Sequence, residues 1–261
     1  MSPNLSIIAS GLRLLTFQGV TLHQGAFVVA TLDGDLLRIS PDGAIAPWVN
    51  VSRYGVPTGI TSSGEAIEVV LSTQESGHFL VQVSSTNKIS VVADLSQLAG
   101  EFGAPFGVAA HGGYYPYYLV SISTDVVGSG GLVARVTPSG KVFELARITS
   151  TPFGIAALPD GAIATLEDGR VVQISLAGDV GAIANLVEAN LGMPIGIALE
   201  QKHYLVSTTK GWLVQVQSDG TLTPLTNILE AGFGSPTAIT CFQDTRIILT
   251  SAGNLLSMKQ G

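Results

Sequence analysis

The chain has few charged residues, a single cysteine and no long apolar run, and each shortage excludes a class of protein. Charged residues make up 12% of the 261 residues, against about a quarter in an average globular protein. The 12 basic residues are outnumbered by 19 acidic ones and form no block, which argues against a nucleic-acid partner. No segment reaches about 18 consecutive apolar residues, so no membrane span is predicted.

The single cysteine and the N-terminal segment bear on the cellular compartment of the protein. Cys241 stands alone in the apolar segment AITCFQ, so it forms no internal disulfide and is predicted to be a buried spacer residue. The N-terminal segment MSPNLSIIASGLRLLTF lacks the basic start and the continuous apolar stretch of a secretory signal. We therefore expect a cytoplasmic protein, unless a signal was removed from the sequence.

Short strand signals separated by polar turns run through the whole chain. Residues 151–180, TPFGIAALPDGAIATLEDGRVVQISLAGDV, contain four of them, divided by PDG, EDG and LAG turns. A four-stranded unit of about 40 residues cannot bury both faces of its sheet alone, so copies must stack. The radial arrangement that stacks such units is a β-propeller.

Six copies can be counted from a start motif of the form P-x-G-[IV], which recurs 40 to 48 residues apart. Its small residue is Gly19, Gly59, Gly107, Gly154, Gly196 or Ala238. A polar turn such as SPDG follows the third strand of each copy, in register. The last copy ends before a fourth strand, which the N-terminal LSIIASGL can supply. The sequence thus predicts an all-β fold: one six-bladed β-propeller domain over residues 1–261, with four antiparallel strands per blade and the N-terminal strand completing the last blade.

The start motif, followed by PDG, a strand and the pattern G-x-[LV]-x-[RQ]-[IV], resembles the repeats of NHL-type and gluconolactonase-like six-bladed propellers. Residues 151–180 are also similar to the repeat of streptogramin B lyases. The resemblance covers nearly the whole chain. It depends on scaffold motifs, so it implies the fold and says little about activity.

In the gluconolactonase-like family the middle residue of the start motif often supplies an Asn or Asp that binds a divalent metal. The matching residues here are Gln18, Thr58, Phe106, Phe153, Ile195 and Thr237. None is a carboxylate, whereas calcium needs six or more oxygen ligands that usually include carboxylates. Streptogramin lyases use His and Glu near a metal, and no such constellation occurs here; His23, His111 and His203 are expected at the surface, opposite the site. We expect no metal and no other cofactor.

The middle residues are expected to face the central channel, together with apolar residues in the links that lead into the first strands. The predicted substrate-binding set is Phe17, Gln18, Tyr54, Thr58, Phe102, Phe106, Phe153, Met193, Ile195, Phe233 and Thr237. Such a lining favours a hydrophobic small molecule. The alternative is that these side chains fill a narrow channel as core.

Three carboxylates, Glu75, Asp125 and Glu167, fall in links from second to third strand, at the same face as the start motifs. Apolar surroundings disfavour the charged form of a carboxylate and suit it to proton transfer. The first hypothesis is therefore a metal-free acid/base enzyme, a cyclase, isomerase, lyase or condensing enzyme. It is loosely similar to the strictosidine synthase-like branch, although no motif maps that family's acidic residue here. Alternatively, all three are solvated turn residues.

The second hypothesis is a non-catalytic interaction scaffold, the commonest use of NHL-type repeats. It predicts a filled channel and an exposed apolar patch, with Tyr114, Tyr115, Tyr117 and Tyr118 as a contact cluster. Alternatively, these tyrosines form a hairpin that packs on its own blade. A protein partner or a homo-oligomer would also account for part of the 46% hydrophobic content. A metal-dependent lactonase or lyase is the third hypothesis.

Overall fold

The computed structural model describes residues 5–14, 19–73, 77–100, 103–112, 116–124 and 130–259. They form six four-stranded antiparallel sheets, the blades. In five of them the strands follow one another in chain order from the innermost to the outermost, and in the sixth the N-terminal strand is outermost. Within the described ranges, helix is confined to one turn of 3₁₀-helix, Ser52–Tyr54, and to the short helix α1, Ser96–Ala99. None of the described helices has the length and apolar character needed to cross a bilayer.

The strands are four to seven residues long and are grouped blade by blade. The first blade comprises β2 (Val20–His23), β3 (Ala26–Ala30), β4 (Asp35–Ile39) and β5 (Ile45–Asn50). The second comprises β6 (Val56–Ser62), β7 (Ala66–Ser72), β8 (His78–Ser84) and β9 (Ile89–Asp94). The third comprises β10 (Pro105–His111), β11 (Tyr117–Ser123), β12 (Gly131–Val136) and β13 (Val142–Ile148). The fourth comprises β14 (Pro152–Leu158), β15 (Gly161–Leu166), β16 (Arg170–Ser175) and β17 (Val180–Asn185). The fifth comprises β18 (Pro194–Glu200), β19 (His203–Thr208), β20 (Trp212–Val216) and β21 (Leu222–Asn227). The sixth comprises β22 (Pro236–Phe242), β23 (Thr245–Thr250), β24 (Leu255–Lys259) and β1 (Leu5–Ala9).

The six sheets close into a ring. Each innermost strand contacts the innermost strands of the two neighbouring blades, and β22 of the last blade contacts β2 of the first. β1 pairs antiparallel with β24, with Leu5 opposite Met258. The predicted six-bladed propeller, including the N-terminal strand that completes the last blade, is confirmed.

The hydrophobic core lies between blades. The described residues form six clusters of buried apolar side chains, and each cluster joins two neighbouring blades. We call each such interface a seam. Because a blade is buried on both faces, its strands need apolar residues on both faces, and this accounts for much of the low charge content.

The start motif is explained by how closely the innermost strands approach. In five blades a β-bulge falls on this motif, as between Pro152 and Ile155. A Cβ atom on Gly154 would lie 2.5 Å from the carbonyl oxygen of Ile195 in the next blade, and one on Gly107 would lie 2.7 Å from that of Phe153. Glycine is therefore required because backbone packs directly on backbone.

The polar turn after each third strand also makes an inter-blade contact. Every outermost strand carries a β-bulge. In four seams the turn glycine of the next blade packs on the carbonyl of the bulged residue, as Gly178 does on Leu145. In the second blade Asn87 replaces glycine at a φ of 64°, and its Oδ1 accepts a hydrogen bond from Trp48 Nε1. The bulges twist the exposed edges and discourage pairing with other chains.

Gly154→Ala should destabilise the protein, because the new methyl group would overlap the backbone of the fifth blade. We expect the free energy of unfolding to fall by about 1–3 kcal/mol, as for other overpacked sites, measured by urea denaturation. The matched control is Gly181→Ala on the outermost strand of the same blade, where a Cβ would have no heavy atom within 4 Å. Equal stability of the two variants would contradict the proposed backbone contact.

Candidate functional site

A ring of six aliphatic residues belongs to the wall of the central channel, and their side chains are part of the seam cores. The ring consists of the residues that follow the small residue of each start motif: Val20, Ile60, Val108, Ile155, Ile197 and Ile239. Each is 5 to 7% exposed. The same six side chains contribute to two cavities, one of about 90 Å³ at the start-motif end and one of about 240 Å³ at the opposite end.

The middle residues of five start motifs line the smaller cavity: Thr58, Phe106, Phe153, Ile195 and Thr237. The rings of Phe106 and Phe153 meet edge to face, with centroids 5.2 Å apart and an interplanar angle of 89°. A water molecule occupies about 30 Å³ in the liquid, so the enclosed space holds only a few small atoms. A larger ligand would have to extend outward from these side chains.

The channel wall also has polar groups. Each innermost strand is the edge of its sheet, so one side of its backbone has no neighbouring strand, and N–H and C=O groups on that side face the channel. The wall therefore combines aromatic and aliphatic side chains with backbone hydrogen-bonding groups. The sequence analysis predicted an apolar lining from the side chains alone and did not include these backbone groups.

A buried hydroxyl on the second strand fixes the start motif of the third blade. Ser121 Oγ accepts a hydrogen bond from the Gly107 N–H at 2.8 Å and donates one to the Phe153 carbonyl of the next blade at 2.5 Å. One side chain thus joins two blades at the channel wall. Sequence analysis missed this role, although a hydroxyl residue opposite the start glycine is visible in the second-strand segment VSIS.

The same arrangement recurs in the fourth blade. Thr165 Oγ1 accepts from the Gly154 N–H at 2.9 Å and donates to the Ile195 carbonyl at 2.7 Å. The second blade has Val70 opposite its start glycine, and there the hydroxyl of Thr58 donates to the Pro105 carbonyl across the seam at 2.7 Å. Thr58, predicted to bind substrate, thus has a structural hydrogen bond.

The other predicted binding residues have different surroundings. Tyr54 packs against the core of the seam between blades one and two, and Phe233 against that between blades five and six. Met193 is half-buried, and its N–H donates to Thr209 Oγ1. The lining of the smaller cavity includes none of these three. Five predicted site residues lie outside the described residues: Phe17, Gln18, Glu75, Phe102 and Asp125.

Glu167 occupies a position at which the residues of three other blades form a hydrogen bond that stabilises the start of the motif. In blades three, five and six the corresponding hydroxyls of Ser123, Thr209 and Ser251 accept the N–H of the residue at the start of the motif. Glu167 is half-buried, and its Oε2 is buried without a hydrogen-bond partner among the described residues. Thr151, which pairs with it through the backbone, is 2% exposed and its Oγ1 is likewise unpartnered.

The turn beside Glu167 is stabilised by Asp168 instead. Asp168 Oδ1 accepts the N–H of Arg170 at 3.2 Å, and its Oδ2 forms an ion pair with the Arg170 guanidinium at 2.6 Å. Although burial alone would raise it, the pKa of Asp168 is lowered, because these contacts with Arg170 outweigh desolvation. Glu167 and Asp168 are the two central residues of this turn, which the Gly169 N–H closes by donating to the Leu166 carbonyl at 3.1 Å, so the alternative that Glu167 is a turn residue stays open.

Two expectations about polar residues were wrong. His23 was expected at the surface, but it is 1% exposed in the seam between blades one and two, stacked on Trp48 with Nδ1 3.0 Å from Ser62 Oγ. Burial, together with nearby Arg38, lowers its pKa. Tyr117 and Tyr118 were expected in an exposed contact cluster, but they are 8% and 5% exposed because their rings fill seams. Tyr114 and Tyr115 lie outside the described residues.

Cys241, His111 and His203, which the sequence analysis also considered, lie at or near the end of the channel opposite the start motifs. Cys241 is half-buried in the wall of the larger cavity, its Sγ 3.9 Å from Glu200 Oε1. Burial and the Glu200 carboxylate raise the pKa of this thiol to about 12, so it stays protonated and unreactive. His111 and His203 are half-buried.

The described start motifs do not fit a hard divalent metal ion. Their middle residues include no carboxylate, and the two threonines already donate their hydroxyls to the Pro105 and Leu249 carbonyls. No group of three His, Cys, Asp or Glu side chains in the described parts of the chain could hold a metal ion.

Taken together, the fold and the channel define a six-bladed β-propeller. At the level of sequence, no family model matches the chain and no curated protein is significantly similar to it. Solved structures do share its fold. A gluconolactonase from Xanthomonas campestris superposes with a TM-score of 0.76 at 14% identity, over 98% of this chain and 89% of that one.

Two other similar structures are also named as enzymes. The soluble aldose sugar dehydrogenase of Escherichia coli has a TM-score of 0.74 at 12% identity, over the whole of both chains. The virginiamycin B lyase of Staphylococcus aureus has a TM-score of 0.65 at 15% identity, over 93% of this chain and 80% of that one. At 12 to 15% identity, the three structures show a shared fold and nothing more. The resemblance stated from sequence is thus confirmed at the level of the fold.

Thr165→Val should weaken the joint between blades four and five. Valine has nearly the shape of threonine but leaves the Gly154 N–H and the Ile195 carbonyl without their partner. We expect a loss of about 1–3 kcal/mol in unfolding free energy, as for other buried groups left unpaired, measured by urea denaturation. Thr223→Val on the exposed face of β21 is the control, with an expected change within about 0.5 kcal/mol. A neutral effect at Thr165 would refute the role of its hydroxyl.

Proposed function

We propose that this protein is an enzyme that binds an uncharged, largely apolar small molecule at the start-motif end of the channel and performs acid/base chemistry with Glu167. The observation that carries the proposal is the departure of Glu167 from the pattern of blades three, five and six. In those three blades a serine or threonine hydroxyl accepts a backbone N–H at this position. Blade four has a carboxylate there, with one buried oxygen that has no hydrogen-bond partner among the described residues.

Strand alternation gives the direction of this side chain. Ile163 packs in the seam with blade five, and Thr165 donates to Ile195 of that blade. Residues two apart on a strand share a face, and the ladder continues to Glu167, whose N–H donates to the Thr151 carbonyl. Glu167 therefore extends along the blade-five side, at the same end of the blade as Phe153 and Ile195.

The unpartnered oxygens suit a ligand with hydrogen-bonding groups next to an apolar body. Glu167 would remove a proton from one atom of the substrate and, as the acid, return it to another, so that isomerisation or cyclisation needs no second reactant. Phe106, Phe153 and Ile195 would orient the apolar part and exclude water. Glu75 and Asp125, the other two predicted acids, belong to the same proposal but are not among the described residues.

The structural neighbours support a propeller enzyme in general. Three of them are named as a gluconolactonase, a lyase and a sugar dehydrogenase. Their chemistry differs, and their sequence identity to this chain is 12 to 15%, so they do not indicate the reaction. The metal-dependent lactonase or lyase is the least supported hypothesis, because the described start motifs offer no free metal-ligand set.

Glu167→Gln should abolish proton transfer while leaving the fold intact. The protein would be incubated in deuterated water with a panel of uncharged cyclic and aromatic carbonyl compounds, and proton NMR would follow the exchange of substrate protons for deuterium. We expect the variant to slow exchange of any active compound by about 10²–10⁴-fold, the usual contribution of a general acid/base.

The control is Glu144→Gln, which removes an exposed carboxylate from the outer strand β13. It should leave exchange unchanged. The acid/base assignment fails if Glu167→Gln exchanges protons as fast as the unaltered protein. Unfolding curves of both variants would separate loss of chemistry from loss of structure.

The interaction scaffold is a second candidate, favoured by exposed apolar residues around the outer rim. Ile7, Ile45, Val91, Phe143 and Val180 are 40 to 55% exposed, one on each of five outermost strands. If this rim binds a partner, the double variant Val91→Ser/Phe143→Ser should lose a protein that the unaltered chain captures, and Glu167→Gln should retain it. Capture that survives the rim substitutions would count against this candidate.

A further inference from the structure

Glu68 is a carboxylate in a position where the fold otherwise has an aliphatic residue. It lies on the second strand β7, opposite Thr61, which is two residues beyond the start glycine, and it is 0% exposed. The residues that pair in the same register in the other blades are Val28, Leu119, Ile163, Leu205 and Ile247. Each of those is at most 1% exposed and packs in the seam with the next blade.

Three uncharged groups donate to one oxygen of this carboxyl group. Glu68 Oε1 accepts from Ser63 Oγ at 2.7 Å, from Gln82 Nε2 at 3.0 Å and from the Tyr118 hydroxyl of blade three at 3.2 Å. Oε2 is buried and has no partner among the described residues. The contact with Tyr118 crosses the seam, so Glu68 is part of the joint between blades two and three.

No charged side chain in the described parts of the chain compensates Glu68. Burial and the nearby Glu68 raise the pKa of Tyr118 to about 12, so its phenol is neutral at physiological pH. The other titratable groups on the elements around Glu68 are Glu65 in the preceding hairpin, His78 on β8, His111 on β10 and Tyr117 on β11. Among the described contacts, none of these four forms a hydrogen bond or ion pair with it.

An unpaired carboxylate in an apolar seam is costly, because the charged form loses its hydration. Burial accordingly raises the pKa of Glu68, and the three hydrogen bonds to Oε1 offset this only in part. In the neutral acid Oε1 is the carbonyl oxygen and still accepts hydrogen bonds, so the contact with Tyr118 across the seam does not require the charge. Loss of the proton leaves a charge in the seam with one oxygen unsolvated.

We propose that Glu68 is a pH-sensitive contact between blades two and three, which holds the seam together as the neutral acid and loosens it when it ionises. This property is independent of the function proposed for the channel. It concerns a different seam from that of Glu167.

The direction of the pH effect follows from the two states. In the unfolded chain Glu68 ionises near its ordinary pKa of about 4.3, whereas in the folded protein the pKa is higher. Below the unfolded pKa both states are protonated and the stability is unaffected. As the pH rises through the window between the two values, the unfolded state releases its proton first. The unfolding equilibrium constant then rises about tenfold per pH unit within that window.

Urea unfolding between pH 4 and 8.5 tests this with three variants. Glu68→Gln keeps the shape without the ionisation, and Glu68→Leu restores the aliphatic residue of the other blades. Relative to either variant, the unaltered protein should show an unfolding constant that rises with pH, because the titration of all other groups cancels in that comparison. Glu65→Gln, which removes an exposed carboxylate three residues away, should keep this rise. The same pH profile in the unaltered protein and in Glu68→Gln would overturn the proposal.

Amide hydrogen exchange locates the effect. The Ala110 N–H of blade three donates to Thr61 Oγ1 of blade two at 3.3 Å, across the same seam. The ratio of its exchange rate in the unaltered protein to that in Glu68→Gln cancels the intrinsic pH dependence of exchange. This ratio should rise with pH, while the corresponding ratio for the Gly154 amide in blade four stays constant. A constant ratio at Ala110 would contradict loosening of this seam.

Discussion

The structure depends on the direct packing of backbone on backbone where the innermost strands surround the channel. Gly107 and Gly154 have no room for a Cβ, because the carbonyl group of the next blade occupies that space. Ser121 and Thr165 then hydrogen-bond to those same carbonyls. This contact sets the spacing between blades, and the spacing in turn determines how large the side chains in each seam can be.

Much of this architecture can be read from the sequence, because a contact repeated in five of the six blades leaves a repeated pattern. The start glycine and the polar turn recur in the sequence at a regular spacing, and in the structure both contact a neighbouring blade. The pairing of β1 with β24 was also predictable, since the last copy lacked a strand and the N-terminus supplied one. Repetition makes long-range contacts visible as local periodicity.

The candidate site was less predictable, because the direction of a side chain depends on the bulge and on the neighbouring blade. Phe106 and Phe153 do line the cavity, whereas Tyr54 and Phe233 pack in seams although their links lead to the same end. His23 was misplaced for a similar reason, since a strand end that looks exposed along the chain is covered by the next blade. The backbone polar groups of the channel wall leave no mark in the sequence at all.

Two carboxylates, Glu167 and Glu68, depart from the repeat, and they lie in different surroundings. Equivalent positions in a propeller face equivalent structural demands, so a residue that gives up a stabilising contact at one of them needs another explanation. Glu167 gives up a hydroxyl-to-backbone hydrogen bond at the start-motif end of its blade, where its Oε2 is buried without a hydrogen-bond partner among the described residues. Glu68 gives up aliphatic packing inside a closed seam, where only a proton can reach it. Their places in the fold therefore separate the two proposals: Glu167 lies at the end of the channel where we propose substrate binding, and Glu68 lies within a seam, where we propose a response to pH.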